Sequence, residues 1–160
     1  MSNRILCVGL FILTIGTDLV NSCCPDGWTK FGSSCYFFGH EDLNFQDAER
    51  YCEHLQATLV NIETSRENTF LQSYLRDFKE PNHWIGLTDI IIDGSWNHYP
   101  SETASTYFNW GAGQPNGHKG SNCAAIWASF SYNWVDEPCT NKFRPLCEKA
   151  LEAETTGIVG

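Results

Sequence analysis

Cysteine carries the most chemistry in this chain, and its spacing separates metal binding from oxidation. Eight cysteines are present, at positions 7, 23, 24, 35, 52, 123, 139 and 147. Zinc sites use closely spaced pairs of the Cys-x-x-Cys kind, usually with a second Cys or His pair. Here the separations are long and no His pair stands nearby, so disulfides are favoured over zinc. Cys7 falls in a leader segment, which leaves Cys23, Cys24, Cys35, Cys52, Cys123, Cys139 and Cys147. Six of these make three disulfides, and the seventh is left for an inter-chain bond or a free thiol.

The histidines, His40, His54, His83, His98 and His118, form no His-Glu-x-x-His, and no Gly-x-Ser-x-Gly turn presents a nucleophile. An enzyme is not expected. Gly111-Ala112-Gly113 precedes Gln-Pro-Asn rather than a helix, so these glycines read as turn residues and not as a phosphate loop. Asp and Glu outnumber Lys and Arg by 19 to 10, a net charge of -9 that opposes a phosphate backbone, and no nucleic-acid partner is expected.

Stepping outward from these residues, positions 1–22 carry Arg4, an apolar run over 5–16 and Ser22 before a cleavage point, the pattern of a secretory signal peptide. The run is well short of the ~20 residues of a spanning helix, so no membrane anchor is expected and the product is read as secreted and extracellular. Loss of Arg4 with Asp18 leaves the charge unchanged. The 160 residues therefore divide into a signal at 1–22, one domain at 23–149 and a disordered tail at 150–160.

Asn44 caps a helix with Phe45, Ala48, Cys52 and Leu55 on one face. Thr64 and Glu67 form a capping box opening a second helix, with Phe70, Leu71, Tyr74, Leu75 and Phe78 on its stripe and Pro81 beyond its end. Strand-like runs lie at 36–38, 59–62, 84–87, 124–127 and 133–135, so the fold class is α+β. Residues 89–122, rich in Gly, Ser, Asn and Thr, have no helical period, and an irregular segment this long inside a domain is usually functional.

Several motifs together resemble the C-type lectin-like domain across almost all of 24–149. They are Cys24-Pro25-Asp26-Gly27-Trp28 before Cys35-Tyr36, Cys52 on the first helix, Leu59-Val60, Trp84-Ile85-Gly86-Leu87, Gln114-Pro115-Asn116, Trp134-Val135-Asp136 before Pro138-Cys139, and Cys147-Glu148. The resemblance implies a C-type lectin-like fold of two helices, small antiparallel sheets and a long loop region. It also implies the pairs Cys24–Cys35, Cys52–Cys147 and Cys123–Cys139. Cys23 is then unpaired or makes an inter-chain bond, giving a disulfide-linked homodimer; in the alternative, Cys23 takes the place of Cys24.

Members of this family hold Ca²⁺ in the long loop and let two sugar hydroxyls join its coordination shell. The resemblance places the metal and carbohydrate ligands on Gln114, Asn116 and Asp136, around a proline expected in the cis form. Val135 and Ser121 stand where the family carries an amide and an acid, so one formal negative charge opposes a divalent ion and weak binding is expected. An auxiliary calcium site is implied at Asp89 and Asp93, with Asn122; the competing role for Asp89, Asp93 and Asn116 is turn capping. Two amides around Pro115 blur donor and acceptor roles, which implies broad or galactose-type recognition. His118 and Trp127 are candidates to stack on a sugar face, core packing being the stronger role for Trp127, while Trp28, Trp84, Trp96, Trp110 and Trp134 are read as structural.

The expected function is thus a secreted lectin, calcium-dependent through a depleted site, recognising glycans in innate defence. The alternative is a domain of the same fold that binds no sugar and works through protein, mineral or ice-surface contacts.

Overall fold

The computed structural model describes residues 23–117 and 120–151. The expected signal at 1–22, His118 and most of the expected tail lie outside the described residues. Helix α1 (Phe45–His54) starts where expected, with the Asn44 side chain accepting from the Asp47 N–H at 2.9 Å. Helix α2 (Ser65–Asp77) starts after Thr64, whose hydroxyl accepts from the Glu67 N–H at 3.2 Å. The capping box closes one residue early, because Glu67 Oε2 accepts from the Glu63 N–H and not from Thr64. Phe78, the C-cap residue at the end of the stripe, is 64% exposed.

The described residues also form nine strands: β1 (Thr29–Phe31), β2 (Ser34–Phe38), β3 (Thr58–Leu59), β4 (His83–Thr88), β5 (Asn97–His98), β6 (Thr103–Ala104), β7 (Cys123–Trp127), β8 (Asn133–Glu137) and β9 (Arg144–Ala150). Their order is β1-β2-β9-β4-β5-β6, with β3 on β9 and the β7–β8 hairpin on β4. Most pairs are antiparallel, but β9 lies parallel to β4, with His83 opposite Arg144 and Trp84 opposite Pro145. The run expected over 59–62 pairs only as far as Leu59; Val60 then turns its N–H to the Leu146 carbonyl while its own carbonyl takes the Gly86 N–H.

Alternation along the strands splits the apolar residues between two cores. One joins α2 to Tyr36, Phe38, Ile85, Leu87, Ile126, Trp134 and Leu146. The other joins α1 to Leu59, Trp84, Ala125, Val135 and two disulfide-bonded pairs. The three expected disulfides are present: Cys24–Cys35, Cys52–Cys147 and Cys123–Cys139. Cys52–Cys147 closes a separation of 95 residues and ties α1 to β9, a constraint worth several kcal/mol (~4) through the unfolded chain.

Cys23 is disulfide-bonded as well. At the other end β9 runs to Ala150, and the Leu151 N–H reaches the Ser33 carbonyl at 2.8 Å. Among the described residues no helix is long and apolar enough to cross a membrane.

Candidate functional site

The long loop returns to the body of the fold at Trp110, which forms a parallel bridge with Trp134 of β8. The Trp134 N–H donates to the Asn109 carbonyl at 3.0 Å, and the Gly111 N–H to the Trp134 carbonyl at 2.8 Å. Gly111 permits this approach: a Cβ there would lie 2.8 Å from Phe130 Cδ1 and 3.4 Å from the Trp134 carbonyl oxygen. The Trp110 ring lodges between Trp96, at 4.7 Å, and Trp134, at 5.8 Å. With 109–111 laid along β8, the next turn carries Gln114 and Asn116 over Asp136.

The Gln114–Pro115 peptide bond is cis, as is Tyr99–Pro100. The Asn116 N–H donates to Gln114 Oε1 at 3.1 Å and to Asp136 Oδ1 at 2.8 Å. Three residues from two motifs are thereby brought together around one N–H. Asp136 sits on β8 opposite Ala124 and is 4% exposed, yet its Oδ2 has no hydrogen-bond partner. A buried, unpaired anionic oxygen is costly unless a cation or a donor from outside completes it. Val135, one residue earlier, faces the α1 core and supplies no ligand oxygen.

Asp89 is also buried, and one of its oxygens is used locally: Oδ2 accepts from the Gly94 N–H at 2.8 Å across the 89–94 turn. The turn-capping role is therefore real for Asp89, while its Oδ1 remains unpaired. Burial pushes the Asp89 carboxyl above the usual carboxylate range, and the charges of Asp93 and Asp136 add to this against the opposing Gly94 bond. Asp89 thus lies within electrostatic reach of Asp136. Asp93 is exposed on the turn, and Asn122 contributes its carbonyl to the Asp89 N–H at 3.2 Å. Trp127 packs edge-on against Phe143 at 5.2 Å, which makes it a core residue.

A set of anchoring residues carries no motif. Asn133 Oδ1 accepts from Asn109 Nδ2 at 2.8 Å and from Gln72 Nε2 at 2.9 Å, joining the loop to α2 through β8. Gln72 also reaches the Tyr132 carbonyl at 2.9 Å, and Asn68 Oδ1 receives the Trp134 indole N–H at 2.9 Å. The one available signal was polar residues on the buried side of α2, where an apolar period alone finds nothing.

Calcium takes six to eight oxygens, with affinity set by ligand charge. Gln114, Asn116 and Asp136 offer side-chain oxygens with one formal charge, and the orphaned Asp136 Oδ2 fits a cation. Water or ligand hydroxyls must complete the shell. Among the described residues no three His, Cys, Asp or Glu side chains assemble as a metal cluster, in keeping with a donor set made largely of amides.

The Lectin C-type domain family model matches residues 41–149. A perlucin-like protein of Mytilus galloprovincialis is 32% identical over 127 residues, which cover 78% of this chain and 81% of that protein. Asialoglycoprotein receptor 2 of Mus musculus is 37% identical over 134 residues, 79% of this chain but 42% of the receptor, so the chain spans less than half of that relative. The mouse scavenger receptor C-type lectin carbohydrate-recognition domain superposes with a TM-score of 0.74 at 32% identity, covering 81% of this chain and all (100%) of that one. A calcium-independent type II antifreeze protein superposes with a TM-score of 0.73 at 25% identity, covering 82% of this chain and 97% of that one.

Proposed function

The chain belongs to the C-type lectin domain family, and from that premise we propose that it is a secreted carbohydrate-binding lectin whose glycan recognition, of galactose-type or broad preference, depends on calcium and serves innate defence. One observation carries the reading. Gln114 Oε1 and Asp136 Oδ1 converge on the Asn116 N–H, beside an Asp136 Oδ2 that is buried and unpaired. A ligand set drawn from two chain segments is otherwise hard to account for, because nothing among the described residues uses the second carboxylate oxygen.

A bound Ca²⁺ would supply open coordination positions for two neighbouring sugar hydroxyls. The chain's own residues do the rest. Gln114 and Asn116 each carry an acceptor and a donor, so a hydroxyl that gives a proton to one can receive one from the other. The Asn116 N–H, bonded to Gln114 Oε1 and Asp136 Oδ1, ties this turn to β8. Asp89, Asp93 and Asn122 form the neighbouring candidate for an auxiliary ion, supported by the unpaired Asp89 Oδ1. Secretion rests on the leader at 1–22 and on the disulfides.

A second reading is a domain of this fold that binds protein, mineral or ice without sugar. It is favoured by the single formal charge at the site, and by the likeness to a calcium-independent antifreeze protein. Binding of the oxidised protein to immobilised galactose, N-acetylgalactosamine, mannose and fucose, in ~0.1 to 1 mM calcium and in chelator, separates the two. Sugar binding lost in chelator supports the first reading. Binding that survives chelator moves the sugar away from Gln114, Asn116 and Asp136, and no binding to any sugar favours the second.

A further inference from the structure

We infer that Asn116 is a site of spontaneous deamidation, and that its conversion to a carboxylate adds a second formal negative charge to the Gln114, Asn116 and Asp136 cluster. The consequence for calcium rests on the proposed lectin site; the modification itself does not.

The chemistry begins with the residue that follows. Deamidation requires a backbone nitrogen to reach the side-chain carbonyl carbon of the preceding asparagine, and a Cβ on the following residue obstructs that approach. Asn116 is the asparagine of this sequence that precedes a glycine. Both Asn116 and Gly117 are exposed. No described atom beyond its chain neighbours lies within 4 Å of the place a Gly117 Cβ would occupy, and its φ is 65°. Among the described residues the Asn116 side-chain amide makes no hydrogen bond, and neither does the Gly117 N–H; the bonds at this residue are both made by the Asn116 backbone N–H.

Several other asparagines among the described residues are occupied. Asn44, Asn68, Asn82 and Asn133 each use a side-chain oxygen as a hydrogen-bond acceptor, and each is followed by a residue bearing a side chain. An amide whose oxygen is held cannot readily rotate to bring its carbon to the next nitrogen.

In the step itself, the Gly117 nitrogen loses its proton and bonds to Asn116 Cγ, and Nδ2 leaves with a proton as ammonia, closing a five-membered succinimide. Water then adds to one of the two ring carbonyls and breaks its bond to nitrogen. Opening at Cγ restores the main chain and leaves aspartate at 116. Opening at the backbone carbonyl routes the main chain through Cγ as isoaspartate. The balance is amide plus water to acid plus ammonia, with no redox change.

In the aspartate product the new carboxylate starts from the residue whose N–H is already held by Asp136 Oδ1. Two anionic groups then share a turn where one stood, and calcium affinity rises with ligand charge. In the isoaspartate product the extra main-chain carbon shifts the side chain off that position. A secreted protein that persists for days would therefore contain three site chemistries of different calcium response.

The test is peptide mapping by mass spectrometry, with fragmentation that separates aspartate from isoaspartate, on the full oxidised protein held at neutral pH and 37 °C beside a short peptide spanning 114–117. Conversion concentrated at Asn116 is expected, and slowed about tenfold or more in Gly117→Ala, where a Cβ blocks the approach. Calcium titration of Asn116→Asp against the fresh protein is expected to show about tenfold tighter binding. An Asn116 left intact while the peptide converts, or an Asn116→Asp protein that binds calcium no better than the fresh one, overturns the proposal. If conversion and the calcium gain are both seen but neither form binds sugar, the deamidation stands and the lectin reading falls.

Discussion

The Asn116 backbone N–H donates to Asp136 Oδ1 across 2.8 Å, and that bond joins the returning long loop to the edge of β8. It makes the shape of the site depend on an acceptor at 136, whereas the proposed calcium binding depends on the charge there. Asp136→Asn separates the two, since an amide oxygen can still accept from Asn116. We expect this variant to fold with a similar melting temperature and to lose about tenfold or more in calcium affinity, read by titration calorimetry. Asp136→Ala removes the acceptor as well and should also cost ~1 to 2 kcal/mol in urea unfolding.

Beneath the loop, the Trp134 indole N–H and Asn68 Oδ1 form a buried bond of 2.9 Å. Asn68→Ala leaves that N–H without a partner in a core position. The expected loss is ~1 to 3 kcal/mol by urea denaturation. Sugar and calcium binding should weaken with it, because Trp134 also carries Asn109 and Gly111 on its backbone.

Gly86 of β4 shows how tightly the centre of the fold is packed. A Cβ there would lie 2.7 Å from the Leu59 carbonyl oxygen and 2.5 Å from Asn61 Oδ1. The first is backbone and cannot swing away. Gly86→Ala is expected to lower stability by ~1 to 3 kcal/mol, visible as a drop in melting temperature with the three disulfides intact.

His83 is fully buried between Phe38 and β9, with Nδ1 at 2.9 Å from the Pro81 carbonyl and Nε2 unpaired. Burial pulls its pKa from the ordinary 6.5 down to about 4, with the Pro81 bond opposing and the Arg144 charge assisting. Between these values the unfolded chain binds the extra proton. His83 therefore contributes stability that is present above the unfolded pKa and is lost as pH falls through the folded one. Burial moves the Glu49 and Glu148 carboxyls upward, which gives them the opposite slope. The clean measurement is the difference between the protein and His83→Phe: unfolding free energy from pH 7 to 4 should fall more steeply in the parent, by up to ~3 kcal/mol over the window.

Local signals located the helices well. Asn44 and Thr64 cap them because a short polar side chain can satisfy an N–H three residues on, a relation contained within one turn of chain. The β4, β7 and β8 runs were legible for a similar reason, as apolar segments bounded by turns. β9 was missed. It opens on Arg144-Pro145, which reads as a break, yet it is the strand between β2 and β4. Pro145 is tolerated where β9 lies parallel to β4, and no neighbour in sequence announces that pairing. β5 and β6, at two residues each, carry too little pattern to be seen.

By itself the sequence determined a secretory leader pattern, an acidic single domain, two capped helices and, through motifs that resemble a known family, three disulfides and the identity of Gln114, Asn116 and Asp136 as candidates. The tertiary structure decided what those candidates are to one another. Asn116 meets Asp136 across 20 residues, and Asn109 and Gln72 meet Asn133 across 24 and 61. It also decided that Asp89 spends one oxygen on Gly94. The division follows the range of the interactions. Caps, periods and turns are set by neighbours within a few residues, while the unpaired oxygen of Asp136 is produced only when the loop, β8 and the α2 core are packed together.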